Sequence, residues 1–125
     1  MRVLYIDDDR INTLLFVETC RFATHVDIET AATGAEALEV AARWRPDMLV
    51  IDLHLPDTNG YELLPALRKL LDAPGMPAYL CTADEAALVE LPARQAGFHS
   101  WWTKPVDLEL VLREIARCAA LSAQP

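Results

Sequence analysis

The chain has 125 residues, 53% of them hydrophobic, and a formal net charge of −8 at pH 7. That length suits one domain with a sizeable core rather than a disordered tail, and the acid excess, without clustered Lys or Arg, excludes a nucleic-acid surface that works by displacing counterions. No run of about 18 apolar residues is present to span a membrane, and a strand pattern starts straight after Met1, so the reading is a cytoplasmic protein without a signal peptide.

Taken in order, Arg2 to Ile6 reads as a buried strand that ends abruptly in Asp7-Asp8-Asp9. A helix follows from Arg10 to about Phe22, with Ile11, Leu14, Leu15 and Phe16 near helical spacing and Asp9 at its start, where negative charge suits the helix dipole. Val26 to Ala31 alternates apolar and polar residues, as a more exposed strand does. Thr33-Gly34-Ala35-Glu36 then forms a capping box for a second helix whose small inner face is Ala37, Leu38, Ala41 and Ala42. Pro46 ends that connection.

Met48 to Ile51 is apolar, rich in β-branching and without alternation, so it predicts a strand buried on both faces that delivers Asp52 to its end. Pro56, Asn59 and Gly60 stop it. The third helix contains Tyr61, Leu63, Leu64 and Leu67, and Pro65 predicts a kink or a shortening, since an interior proline costs about 3 kcal/mol. Ala78 to Cys81 forms a fourth strand ending in Thr82. The segment Glu85 to Ala96 carries Pro92, which predicts a kinked helix or one that starts late, near Leu91. Phe98 to Thr103 makes a fifth strand followed by Lys104-Pro105. Asp107 caps a last helix with Leu108, Val111, Leu112, Ile115 and Ala119 facing inward, and the tail from Ser122 is expected to fray. Cys20, Cys81 and Cys118 are widely spaced within apolar segments and read as reduced core thiols.

Five strands alternating with five helices, with crossover-length spacing, predict a doubly wound parallel sheet. Its strand ends would bring Asp7, Asp8, Asp52, Thr82 and Lys104 to one edge, beside the first strand. Carboxylates gathered there repel: a like pair at about 4 Å costs about 4 kcal/mol at an effective dielectric of 20. Mg²⁺ (or Mn²⁺) removes that penalty and suits few carboxylates, retained waters and a phosphate oxygen. Lys104 and the Thr82 hydroxyl then face an anion, which describes phosphoryl transfer to Asp52. Alone, Asp7-Asp8-Asp9 would be an acidic helix start and His54 a solvated loop residue. Asp7, Asp9 and Glu18 mimic an EF-hand loop, but Ile11 and Asn12 stand at positions that reject it. His25 and His99 read as surface residues and Trp102 as core.

With these residues in order, the chain resembles a two-component response-regulator receiver domain over about Arg2 to Ala120. The resemblance implies a flavodoxin-like (βα)5 fold with strand order 2-1-3-4-5 in α/β/α layers, with residues 1–125 as a single receiver domain. It implies that Asp52 accepts phosphate from the phosphohistidine of a histidine kinase or a histidine phosphotransfer protein. Asp8, Asp52 and the backbone carbonyl of His54 would bind Mg²⁺ directly, and Asp7 through water. Thr82 would hydrogen-bond the phosphoryl group, Lys104 would pair with it, and the bond to Pro105 would be cis. Signalling would run through Thr82 and Trp101, where Tyr or Phe is usual; the larger ring makes a partial switch the expectation. The fourth helix, fifth strand and fifth helix, with Pro92 among them, would dock a downstream target or a second copy. His54 and Asp84, two residues past Asp52 and Thr82, would tune how fast the phosphate is lost. The phrases Asp-Leu-His-Leu-Pro-Asp and Ala-Gly-Phe-His-Ser, with Asn12, look like receivers attached to hybrid histidine kinases. Apart from self-phosphorylation and slow self-dephosphorylation, no enzyme activity is implied. Two rivals stand beside this reading. A phosphohydrolase with an aspartyl-phosphate intermediate usually carries a second Asp where His54 stands, and the complete residue set speaks against an interaction domain that no longer uses phosphate.

Overall fold

Ten elements alternate along residues 1–23 and 25–122, the part of the chain that this computed structural model describes: β1 (Arg2–Ile6), α1 (Arg10–Cys20), β2 (Asp27–Ala31), α2 (Gly34–Trp44), β3 (Met48–Asp52), α3 (Gly60–Leu71), β4 (Ala78–Thr82), α4 (Ala86–Ala96), β5 (Ser100–Thr103) and α5 (Leu108–Ser122). The strands pair in parallel in the order β2-β1-β3-β4-β5, the expected flavodoxin-like arrangement. Fraying of the tail from Ser122 concerns residues that lie outside the described ones, apart from Ser122 itself, which closes α5.

The two-residue period of a strand sorts the core into two layers. Leu4, Ile6, Leu49, Ile51, Ala78 and Leu80 pack with Ala37, Val40 and Ala41 of α2, with Leu63, Leu64 and Leu67 of α3, and with Val89 and Ala93 of α4. The alternate residues Val3, Tyr5, Met48, Val50, Tyr79, Cys81 and Trp102 face Phe16 and Cys20 of α1 and Val111, Ile115 and Cys118 of α5. All three cysteines are buried, and among the described residues none forms a disulfide. Trp101 and Trp102, adjacent in β5, therefore enter opposite layers.

Helix starts follow the capping residues. Thr33 Oγ1 accepts from the Glu36 N–H at 3.1 Å, and the Glu36 carboxylate reaches back to the Ala32 N–H at 3.3 Å, one residue before the cap. Asp9 accepts from the Ile11 and Asn12 N–H groups, and Asp107 does the same for Glu109 and Leu110. Of the proline expectations, the shortening and the late start need correction. α3 runs unshortened through Pro65, and α4 starts at Ala86, well before Leu91, and continues through Pro92. The carbonyls deprived of a partner belong to Tyr61, which is partly exposed, and Leu88, 68% exposed, so solvent can take the place of the missing N–H. Helix α1 buries little of its apolar spacing: Ile11, Leu14 and Leu15 point outward at 70%, 63% and 53% exposure, and only Phe16 and Cys20 are buried.

Candidate functional site

Parallel register places the site. Ile6 pairs with Ile51, so the next residue of each strand, Asp7 and Asp52, emerges side by side at the carboxyl edge. Both continue the layer that faces α1 and α5, as does Lys104 two residues after Trp102. The long Lys104 side chain crosses back over the edge, and its Nζ lies 3.3 Å from Asp7 Oδ2 and 3.3 Å from Asp52 Oδ2. Asp7 and Asp52 are buried, whereas Asp8 is exposed, and one carboxylate oxygen from each of the three lies within 4.8 Å of the others. Asp7 and Asp8 border a groove of about 240 Å³ that Arg10, Thr13 and Glu36 also line.

Three acids and one ammonium leave the cluster short of positive charge. Burial, then the neighbouring Asp7 charge, pushes the Asp52 carboxyl up to about 6, with Lys104 pulling the other way. For Lys104 burial acts downward, but the Asp52 and Asp7 charges outweigh it and the net direction is upward. The ammonium therefore stays protonated. Asp7 is held at both oxygens: Oδ1 accepts from the Asp9 N–H at 2.9 Å, and Oδ2 accepts from the Tyr5 hydroxyl at 2.9 Å as well as from Lys104. Burial and the Asp7 charge drive the Tyr5 hydroxyl far above its ordinary range, so it keeps its proton and donates. The donor set fits a hard divalent cation: oxygen atoms only, convergent, and carrying more negative charge than Lys104 offsets.

Thr82 continues the opposite layer from Leu80. It is 1% exposed, and its Oγ1 accepts from the Asp84 N–H at 3.1 Å. The Asp84 carboxylate lies 3.0 Å from His54 Nε2, so the loops after β3 and β4 are joined across the mouth of the site by an exposed contact. Trp101 is partly buried against the same layer as Thr82, and the Lys104–Pro105 peptide bond is cis. His25 and His99 are exposed, away from these groups.

The loop after Asp52 is tightly folded. Gly60 donates to the Leu53 carbonyl at 2.9 Å, His54 and Asn59 form an antiparallel bridge, and a Cβ on Gly60 would stand 2.7 Å from Leu80 Cδ1, so any larger residue forces the buried Leu80 to shift. Asp57 reaches α2 and accepts from the Gly34 and Ala35 N–H groups at 2.8 and 3.0 Å. Sequence reasoning missed both Tyr5 and Asp57. A tyrosine in an otherwise aliphatic strand, two residues before an acid and hence on the same face, was the available signal for the first.

Comparison with known proteins agrees with this geometry. The family model for the response regulator receiver domain matches residues 3–116. The chain is 34% identical over 110 residues, 88% of its length, to the probable transcriptional regulatory protein TcrX of Mycobacterium tuberculosis, covering 46% of that protein. It is 35% identical over 115 residues, 92% of its length, to the response regulator MprA of Mycobacterium leprae, covering 49% of it. The chain thus spans about half the length of these curated relatives. Among solved structures, the chemotaxis response regulator CheY4 of Vibrio cholerae superposes with a TM-score of 0.84 at 27% identity, over 94% of this chain and 97% of that one. Fold, acid cluster and family match converge, and the chain belongs to the response regulator receiver domain family of two-component signalling.

Proposed function

We propose that Asp52 is the phosphoacceptor of a signalling receiver and that the chain, with a core from about residue 2 to 120, takes its phosphoryl group from the phosphohistidine of a histidine kinase or phosphotransfer protein. The observation that carries this reading is Lys104, whose Nζ stands 3.3 Å from both Asp52 and Asp7. An ammonium so placed can pair with anionic oxygens brought to Asp52. Asp8, Asp52 and the His54 backbone carbonyl would hold Mg²⁺, with Asp7 assisting through water. When bound, the cation would neutralise the acids and stabilise charge on the transferring phosphoryl group. As the N–P bond of the donor breaks, an Asp52 oxygen forms the new O–P bond. Thr82 would hydrogen-bond the phosphoryl group from the opposite layer, and its movement would reach Trp101 on the same layer. His54 and Asp84, already in contact, sit where they can govern the access of water to the phosphoryl group.

Docking is assigned to α4, β5 and α5, where Leu88 and Leu91 are 68% and 62% exposed and offer apolar area to a target or a second copy. Tryptophan fluorescence gives the test. Acetyl phosphate or beryllofluoride with Mg²⁺ is expected to change the signal, and Asp52→Asn to abolish the change; a response that survives in this variant would falsify the reading.

A further inference from the structure

Tyr5 is buried in β1 with its ring stacked on Phe16, the centroids 4.2 Å apart. Its hydroxyl is the only polar group that β1 side chains carry inward, and it donates to Asp7 Oδ2 at 2.9 Å. That oxygen also accepts from Lys104, which is equally close to Asp52. Asp7 Oδ2 therefore has two donors of different character. One is fixed on a packed ring, and the other rides on a flexible four-carbon stem. A phosphoryl group on Asp52 would place new negative charge beside the ammonium and draw it over. Asp7 is 3% exposed, so bulk water cannot replace a donor that leaves, and a buried carboxylate oxygen stripped of donors is costly.

We propose that Tyr5 is a positioning residue of the phosphoacceptor site: its hydroxyl keeps Asp7 Oδ2 satisfied and in place while Lys104 passes from Asp7 to the phosphoryl group on Asp52. This inference rests on the phosphoacceptor reading of Asp52. Without the hydroxyl, Lys104 is the remaining side-chain donor to Oδ2 among the described residues, and its departure leaves that oxygen with no side-chain donor. The cost falls on the phosphoryl-bound state alone, because in the resting state Lys104 still serves Asp7.

Tyr5→Phe removes the hydroxyl and keeps the ring that stacks on Phe16, so the fold is retained. Two affinities are read by tryptophan fluorescence: Mg²⁺ alone, and beryllofluoride at saturating Mg²⁺. For the variant, Mg²⁺ affinity is expected to stay within about twofold of wild type, and beryllofluoride affinity to fall about fivefold, the weight of one buried hydrogen bond. An unchanged beryllofluoride affinity overturns the proposal. So does an equal loss in both affinities, which would mark a purely structural hydroxyl. A wild-type protein that fails to respond to beryllofluoride at all is a different result, since it removes the phosphoacceptor reading and this inference with it.

Discussion

On the layer of the sheet that faces α1 and α5, the residues reaching the carboxyl edge are interlocked: Tyr5 on Asp7, Lys104 on Asp7 and Asp52, and the Asp9 N–H on Asp7. On the layer that faces α2, α3 and α4, Thr82 and Trp101 share a side with fewer side-chain ties: Thr82 Oγ1 accepts from the Asp84 N–H, and beyond it stands the exposed pair of His54 and Asp84. Charge is thus pre-arranged on one side of the edge, where the Lys104 ammonium alone is proposed to shift, while the residues proposed to pass the signal on stand on the other. Chemistry that must be fast benefits from the first arrangement, because donors already in place need no reorganisation. A switch needs the second, since an element held by a few weak contacts is the one a new ligand can displace.

Removing the ammonium attacks the interlocked side hardest. Lys104→Ala is expected to slow phosphorylation of Asp52 by acetyl phosphate about a hundredfold, the usual weight of one charge-stabilising donor; a loss of less than about threefold in a phosphate-incorporation assay would show that Asp52 works without it. The same side carries a strain that metal-free protein should reveal. With its carboxyl raised to about 6, folded Asp52 holds a proton more tightly than the unfolded chain does, so its contribution to stability is present at low pH and is lost as the pH rises through about 6. Asp52→Asn should therefore stabilise the metal-free protein at pH 8 by on the order of 2 kcal/mol, with the advantage shrinking below pH 6 in urea titrations. An advantage independent of pH would rule out the carboxylate charge as its source.

Thr82→Ala tests whether the two layers are separable. Mg²⁺ affinity should be kept, beryllofluoride affinity should weaken about tenfold, and the Trp101 part of the fluorescence change should vanish, as comparison with a Trp101→Phe background would show. The smallest effect concerns the loop after Asp52. Asp57→Ala removes two hydrogen bonds at the start of α2 and should cost about 1 kcal/mol in a urea melt, leaving Mg²⁺ affinity as it was.

Much of this was legible in the sequence for a simple reason. A parallel sheet sends every strand end to one edge, so the acids at Asp7, Asp8 and Asp52, with Thr82 and Lys104, could be assembled without any long-range pairing information. The expected shortening at Pro65 and late start at Pro92 failed because the penalty depends on whether the abandoned carbonyl is dry, and helical spacing does not say so. For α1, apolar spacing identified a helix and not the face it buries; Ile11, Leu14 and Leu15 ended outside. Tyr5 and Asp57 escaped because each acts through a partner that local pattern does not name: a carboxylate beyond the strand end in one case, and the N–H groups of a helix 22 and 23 residues away in the other.

Asp57 has a mechanical consequence. Its two bonds to α2, together with the close fit of Gly34 against Thr58 and of Gly60 against Leu80, bolt the segment that follows Asp52 to the body of the molecule. The proposed acceptor site would then be a vise with one fixed jaw: a phosphoryl group on Asp52 is expected to push the other jaw, the segment after β4 that begins at Thr82, and through it α4.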